Sequence, residues 1–150
     1  MDKGALALHW AQLHDNQYLM SDPPVDTPGF GYHGQLIAHY LASGGDAMKP
    51  TTSTVATLLS HASLRADGGV AVMLTNTSGT AAANVTVNVT GGMLACGGLR
   101  YTYAPTGGAS NLDGAVTTGP IFSATNRPSV NVAVPASAGV CVAFPNTWTW

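Results

Sequence analysis

The sequence predicts a mainly β chain: an antiparallel β-sandwich of about seven or eight strands carrying one N-terminal strand–helix unit. Three observations predict it. Only 8% of the 150 residues are charged, against about a quarter in a typical soluble domain, and glycine, threonine, alanine and valine fill the gap. From Thr51 onward the apolar residues recur at every second position, the spacing of a strand with one buried face. Glycine-rich turns punctuate that stretch at strand-length intervals.

The elements follow in order. Residues 4–13 read as a strand, since Leu6, Leu8 and Trp10 alternate with Ala5, Ala7 and His9. Residues 15–28 read as a loop, marked by Ser21-Asp22-Pro23-Pro24. A helix is expected over residues 31–42. Thr27-Pro28 supplies its start, Leu36, Ile37, Tyr40 and Leu41 its apolar stripe, and Gly44-Gly45 its stop. That stripe needs a cover, either the sandwich or a second copy of the chain, so a homo-oligomer through residues 31–42 is one expectation.

The β-rich part begins with a strand over residues 56–65. Ala66-Asp67-Gly68-Gly69 is a hairpin turn into residues 70–75. Ala83, Val85, Val87 and Val89 then alternate with Asn84, Thr86, Asn88 and Thr90, the cleanest half-buried strand in the chain. Residues 94–103, 121–123, 129–134 and 139–144 complete the set, with a long loop over 104–120. The chain therefore divides into a strand–loop–helix segment, 1–49, and a β-sandwich, 50–150. The length suits one medium domain, large enough for a real core.

Composition excludes several functions. Net charge is −2 and the five basic residues are scattered, so no stripe exists to track a phosphate backbone, and nucleic acid is not an expected partner. No apolar run reaches the ~18 residues that span a bilayer. The first residues only mimic a signal peptide, because His9, Gln12 and His14 interrupt them. The two cysteines, in a charge-poor and threonine-rich chain, point to a secreted protein with a disulfide between Cys96 and Cys141. Such a closure would stabilise by about 4 kcal/mol in the chain-entropy model.

Candidate chemistry is sparse. The chain contains no glutamate, and of its seven aspartates only Asp15, beside His14 and Trp10, has company a sugar site would want. Asp15 and His14 are the alternative catalytic candidates, for a small polysaccharide-active hydrolase or metal-dependent enzyme. His9 and His14 point to opposite faces of a strand, and His33 and His39 to different faces of a helix. Neither spacing chelates a metal, and no metal or other cofactor is expected. No Gly-x-Ser-x-Gly elbow, phosphate loop or dinucleotide fingerprint occurs. Trp10, His14, Asn16 and Tyr18, with Tyr32 beyond the loop, combine aromatic faces with short polar groups, the combination that stacks on sugars and binds their hydroxyls. Asn76, Asn84 and Asn88 head N-x-Thr/Ser acceptor patterns, which threonine-rich strands also generate by chance.

A resemblance adds to this reading. Ala-Leu-Ala-Leu-His-Trp-Ala-Gln-Leu-His-Asp, then Tyr-His-Gly-Gln-Leu-Ile-Ala-His-Tyr-Leu-Ala, then His-Ala-Ser-Leu-Arg-Ala-Asp-Gly-Gly-Val-Ala-Val-Met-Leu-Thr-Asn resembles the C-terminal end of barrel glycoside hydrolases of the arabinofuranosidase and glucuronidase type. The resemblance implies that residues 6–13 correspond to the last barrel strand and 31–42 to the last barrel helix, with Trp10, His14 and Asn16 where substrate binds. Hydrolysis in that family needs two carboxyl groups. No position here matches either catalytic glutamate. The expected function is therefore a non-catalytic, carbohydrate-associated module with a polysaccharide or oligosaccharide as partner.

Overall fold

The computed structural model describes residues 21–22, 27–28, 30–104 and 116–146. The expected strand at 4–13 and most of the expected 104–120 loop lie outside them. Two short strands, β1 (Ser21–Asp22) and β2 (Thr27–Pro28), pair antiparallel inside the stretch expected to be loop only. Helix α1 (Phe30–Leu41) follows, within a residue of the predicted span. Its stop is the expected glycine pair: Gly45 has φ 93°, a conformation that carries a penalty for any residue with a Cβ.

Eight further strands form the sandwich. These are β3 (Ala47–Lys49), β4 (Leu58–Leu64), β5 (Val70–Asn76), β6 (Ala83–Asn88), β7 (Gly97–Tyr103), β8 (Thr117–Phe122), β9 (Ser129–Val134) and β10 (Gly139–Phe144). Six make one antiparallel sheet in the order β3-β4-β5-β10-β7-β8, and the other two, β6 and β9, pair across it. The predicted hairpin is present between β4 and β5. Arg65 N donates to Gly69 O at 2.7 Å, Gly68 N donates to Arg65 O at 2.9 Å, and the Asp67 carboxylate accepts from Gly69 N at 2.8 Å.

Two elements escaped the sequence pattern. β3 is three residues long, too short to show a period. β8 begins at Thr117 rather than at 121, because Gly119 and Pro120 blur its alternation. It lies at the edge of its sheet, where proline costs no ladder bond.

Register divides the large sheet into two faces. Leu64↔Val70, Ala62↔Val72 and Ser60↔Leu74 align β4 with β5, and Val72↔Val142 and Leu74↔Val140 align β5 with β10. Val72, Leu74, Val140 and Val142 share this inner face with Phe144, opposite Val130, Val132 and Val134 of β9, and together they form the main core, with Ala62 and Val70 packed at its margin. The other face carries Ala71, Cys141 and Tyr103, against which α1 presses Ile37 and Leu41. The result is three layers: helix, six-stranded sheet, two-stranded sheet. Docking onto the sandwich, one of the two covers expected for the helix stripe, is realised for Ile37 and Leu41, and each buried side chain contributes roughly 1.5–3 kcal/mol.

The expected disulfide is not formed, and both cysteines are free. The ladder gives the reason. Cys141 pairs with Tyr101, five positions along from residue 96, which at about 3.4 Å per residue is roughly 17 Å. A disulfide needs Cα atoms within about 7 Å. Cys141 is instead a buried apolar element of the helix–sheet layer, and burial pushes its thiol up to about 12. Composition gave the even count but carried no information about register.

Candidate functional site

The helix–sheet layer gathers most of the described aromatic and titratable groups. His33, on the first half of α1, stacks on Tyr103 with ring centroids 4.8 Å apart and planes 25° apart. Tyr40 lies flat on Tyr101 at 3.7 Å and 8°. Arg65, at the end of β4, donates through Nη2 to the Tyr40 carbonyl, and the buried Ser63 hydroxyl donates to the Leu41 carbonyl. Thus β4 supplies acceptor-satisfying groups to the last turn of the helix, which would otherwise leave orphan carbonyls. Burial raises the Tyr103 hydroxyl above its ordinary range, and burial followed by the neighbouring Tyr40 raises Tyr101. Both therefore stay neutral at physiological pH. This layer is a clasp that fixes the helix to the sheet, and among the described residues it holds no carboxylate beside a base.

The carboxylates whose side chains are described are structural. Asp46 accepts from Ser43 N at 2.8 Å and from Ala66 N at 2.9 Å, joining the helix stop to the hairpin turn. Those backbone donors, Ser43 first, hold its carboxyl below the usual range. Asp67 caps the same turn. Among the described residues no group of three or more His, Cys or Asp side chains could hold a metal ion.

Of the sequence-predicted sugar contacts, only Tyr32 is described. It lies on the first turn of α1, 41% exposed, with its ring edge to His33 at 5.3 Å. Trp10, His14, Asp15, Asn16 and Tyr18 lie outside the described residues, so the cluster and the alternative catalytic pair are not brought together or separated here. The acceptor asparagines do separate. Asn76 is buried and its amide donates to Ala81 O, Val134 O and Pro135 O. Asn84 and Asn88 stand on the exposed face of β6.

One feature was not visible in the sequence. Between β6 and the inner face of β4 and β5 lies an open cleft of about 1430 Å³. Its floor includes Ala62, Val72 and Leu74, its far wall is the length of β6, and threonines and serines of residues 51–54 form its mouth. Lys49 is the one charged side chain among the described residues that line it, and no aromatic ring is among them. The sequence signal existed only as the half-buried alternation of β6, which does not say what covers the apolar half.

No family model matches the chain, and no curated protein matches it. Solved structures do. Xyn30A from Clostridium acetobutylicum, a xylanase of glycoside hydrolase family 30 subfamily 8, matches with TM-score 0.67 and 14% identity over 87% of this chain and 31% of that one. The catalytic domain of the family 30 xylanase C from Talaromyces cellulolyticus matches with TM-score 0.60 and 16% identity over 85% of this chain and 27% of that one. A family 30 endoxylanase from Clostridium papyrosolvens C71 matches with TM-score 0.54 and 17% identity over 73% and 25%. The chain thus spans under a third of each of these proteins, and what it shares with them is a fold. Its β-sandwich and helix are built like a region of glycoside hydrolases.

Proposed function

We propose that this chain is the non-catalytic, carbohydrate-associated sandwich region of a glycoside hydrolase-related polypeptide. The observation that carries the reading is the match of 87% of the chain to only 31% of a family 30 xylanase, in a chain that has no glutamate to supply a catalytic pair. The described aspartates support it, since Asp46 and Asp67 are committed to turns. Residues 1–49 keep the reading of a strand–loop–helix segment like the end of a barrel, and the arabinofuranosidase or glucuronidase type belongs to the same proposal. The partner in this reading is a polysaccharide or oligosaccharide outside the cell, held by Trp10, His14, Asn16, Tyr18 and Tyr32. No helix among the described residues is long and apolar enough to cross a membrane.

The test is affinity electrophoresis in gels cast with xylan or arabinoxylan, alongside a reducing-sugar assay on both polymers. Retardation without hydrolysis is expected, with Trp10→Ala weakening it about tenfold at unchanged melting temperature, a loss on the scale of one aromatic stack. Hydrolysis by the wild type that Asp15→Asn or His14→Ala abolishes would replace this reading with the enzymatic one.

A further inference from the structure

The fold sorts the N-x-Thr/Ser patterns headed by Asn76, Asn84 and Asn88 into two kinds. Asn76-Thr77-Ser78 is spent on structure. Asn76 is 2% exposed, and its amide donates to Ala81 O at 2.8 Å, Val134 O at 3.3 Å and Pro135 O at 3.1 Å. Its Oδ1 accepts from Ser78 N at 3.0 Å, and the Ser78 hydroxyl accepts from Ala81 N at 3.0 Å. The other two patterns stand in the open. Alternation along β6 turns Val85 and Val87 toward the core and puts Asn84, Thr86 and Asn88 on the outer face, all exposed. Thr90, just past the strand end, is exposed as well. Across the ladder the three outer residues meet only short side chains, Ala133, Asn131 and Ser129. Thr86 donates to Asn131 Oδ1 at 2.8 Å, whereas among the described residues no hydrogen bond holds the carboxamide of Asn84 or Asn88.

We infer that Asn88 and Asn84 are modification sites for an N-linked glycan, and that the fold withholds Asn76. The inference rests on the extracellular reading above for the encounter with a glycan donor, and not on polysaccharide binding. The reaction is a glycosyl transfer. The carboxamide Nδ2 bonds to C1 of the reducing-end sugar of a polyprenyl diphosphate-linked oligosaccharide. The C1–O bond to the diphosphate breaks, the polyprenyl diphosphate leaves with the electron pair, and one Nδ2 proton goes to a base of the transferase. Nothing is oxidised or reduced. A glycan is bulky and strongly hydrated, so in the folded chain it must project into solvent. On β6 it does: α1 lies on the far side of the large sheet, and the outer face of the small sheet is the last layer among the described residues. The two asparagines are four residues apart on one face, about 13 Å at the rise of a strand, which separates two glycan stems. At Asn76 the same group would displace an amide hydrogen inside the core and orphan buried carbonyls. Asn88 ends its strand, two residues before the turn at Thr90 and Gly91, and the hydroxyl of its pattern is uncommitted, whereas Thr86 is held by Asn131. Asn88 is therefore the better of the two sites.

The experiment secretes the full chain from yeast behind a cleavable leader. Each site is read by mass spectrometry after an amidase releases the glycans in heavy-oxygen water, which turns every modified asparagine into a labelled aspartate. The expected result is a folded protein with glycan on Asn88 and Asn84, higher occupancy at Asn88, and Asn76 bare. Thr90→Ala should abolish modification of Asn88 alone and Asn84→Gln that of Asn84 alone, each removing one step of gel mobility while the melting temperature holds. A glycan on either asparagine with Asn76 bare supports the inference. Secreted, folded protein bare at both overturns it, and so does a glycan on Asn76 in that protein. Should the host retain the chain, translation with microsomes makes the comparison without secretion: mobility steps that the two variants remove one by one are expected, and their absence overturns the inference. The polysaccharide reading stands or fails in the xylan gel whatever the occupancy of these sites, so the two failures are told apart.

Discussion

The two ends of the small sheet differ in a way their sequences hide. β6 and β9 have nearly the same pattern, valines alternating with short polar residues, and they pair residue for residue from Ala83↔Val134 to Asn88↔Ser129. Yet β9 closes a core with Val140, Val142 and Phe144 of β10, while β6 borders an open cleft. The difference lies in what each faces. β10 is the central strand of the large sheet, flanked by β5 and β7 and backed by α1. Among the described strands, β4 has only the three-residue β3 beyond it. An amphipathic strand states that it has a face to bury; its neighbours decide whether the burial is completed.

The largest effect that would break or sharpen this contrast lies on the closed side. Phe144 is fully buried, and the backbone of β7 approaches it so closely that a Cβ on Gly98 would stand 2.6 Å from its ring. Phe144→Ala should therefore cost about 3–5 kcal/mol, measured by urea unfolding. A loss under 1 kcal/mol would mean that the β9–β10 side is no better packed than the β6 side.

Thiol chemistry tests the helix layer beneath the same strand. Native, unreduced protein should show one readily titrated thiol, Cys96, with Cys141 reacting only on unfolding, and reduction should leave the melting temperature unchanged. Because the folded Cys141 thiol is raised from 9.0 to about 12, the neutral form is favoured by folding. Its contribution is complete below the unfolded value and declines as pH rises past 9.0 toward about 12. Cys141→Ala should flatten that alkaline decline. A native protein with no titratable thiol would restore the disulfide.

The smallest effect belongs to Asp46, at the junction of helix stop and hairpin. Its lowered carboxyl contributes stability above its unfolded pKa and loses it as pH falls through the folded one. Asp46→Asn should lower the melting temperature slightly at neutral pH and not at all at pH low enough to protonate the wild type. An equal drop at both would assign the effect to shape rather than charge.

Much of this architecture was legible in the residues. The 3.6-residue stripe of Leu36, Ile37, Tyr40 and Leu41 gave α1 within a residue, and the period of 2 gave β9 and β10 to their observed ends. Asp67-Gly68-Gly69 gave the hairpin because few residue types accept the φ of 86° found at Gly68. What stayed hidden was long-range. The spacing of Cys96 and Cys141 says nothing of a register that sets them five rungs apart, and Pro120 hid the start of an edge strand. Of the proposed sugar contacts, only Tyr32 falls within the described residues. The inter-sheet cleft showed only as the alternation of β6, since it arises from which strands lie opposite one another.

The central claim, that the sandwich is closed over β9 and open over β6, is tested most directly by one paired measurement. Val132→Ala and Val87→Ala each remove two methyl groups from neighbouring strands of one sheet, at positions that differ in cover. Buried methylenes are worth roughly 0.8 kcal/mol each before any cavity penalty. Urea unfolding at neutral pH should then give a loss of about 2 kcal/mol for Val132→Ala and under about 1 kcal/mol for Val87→Ala. Equal losses would contradict the account, because they would mean that β6 is covered as fully as β9.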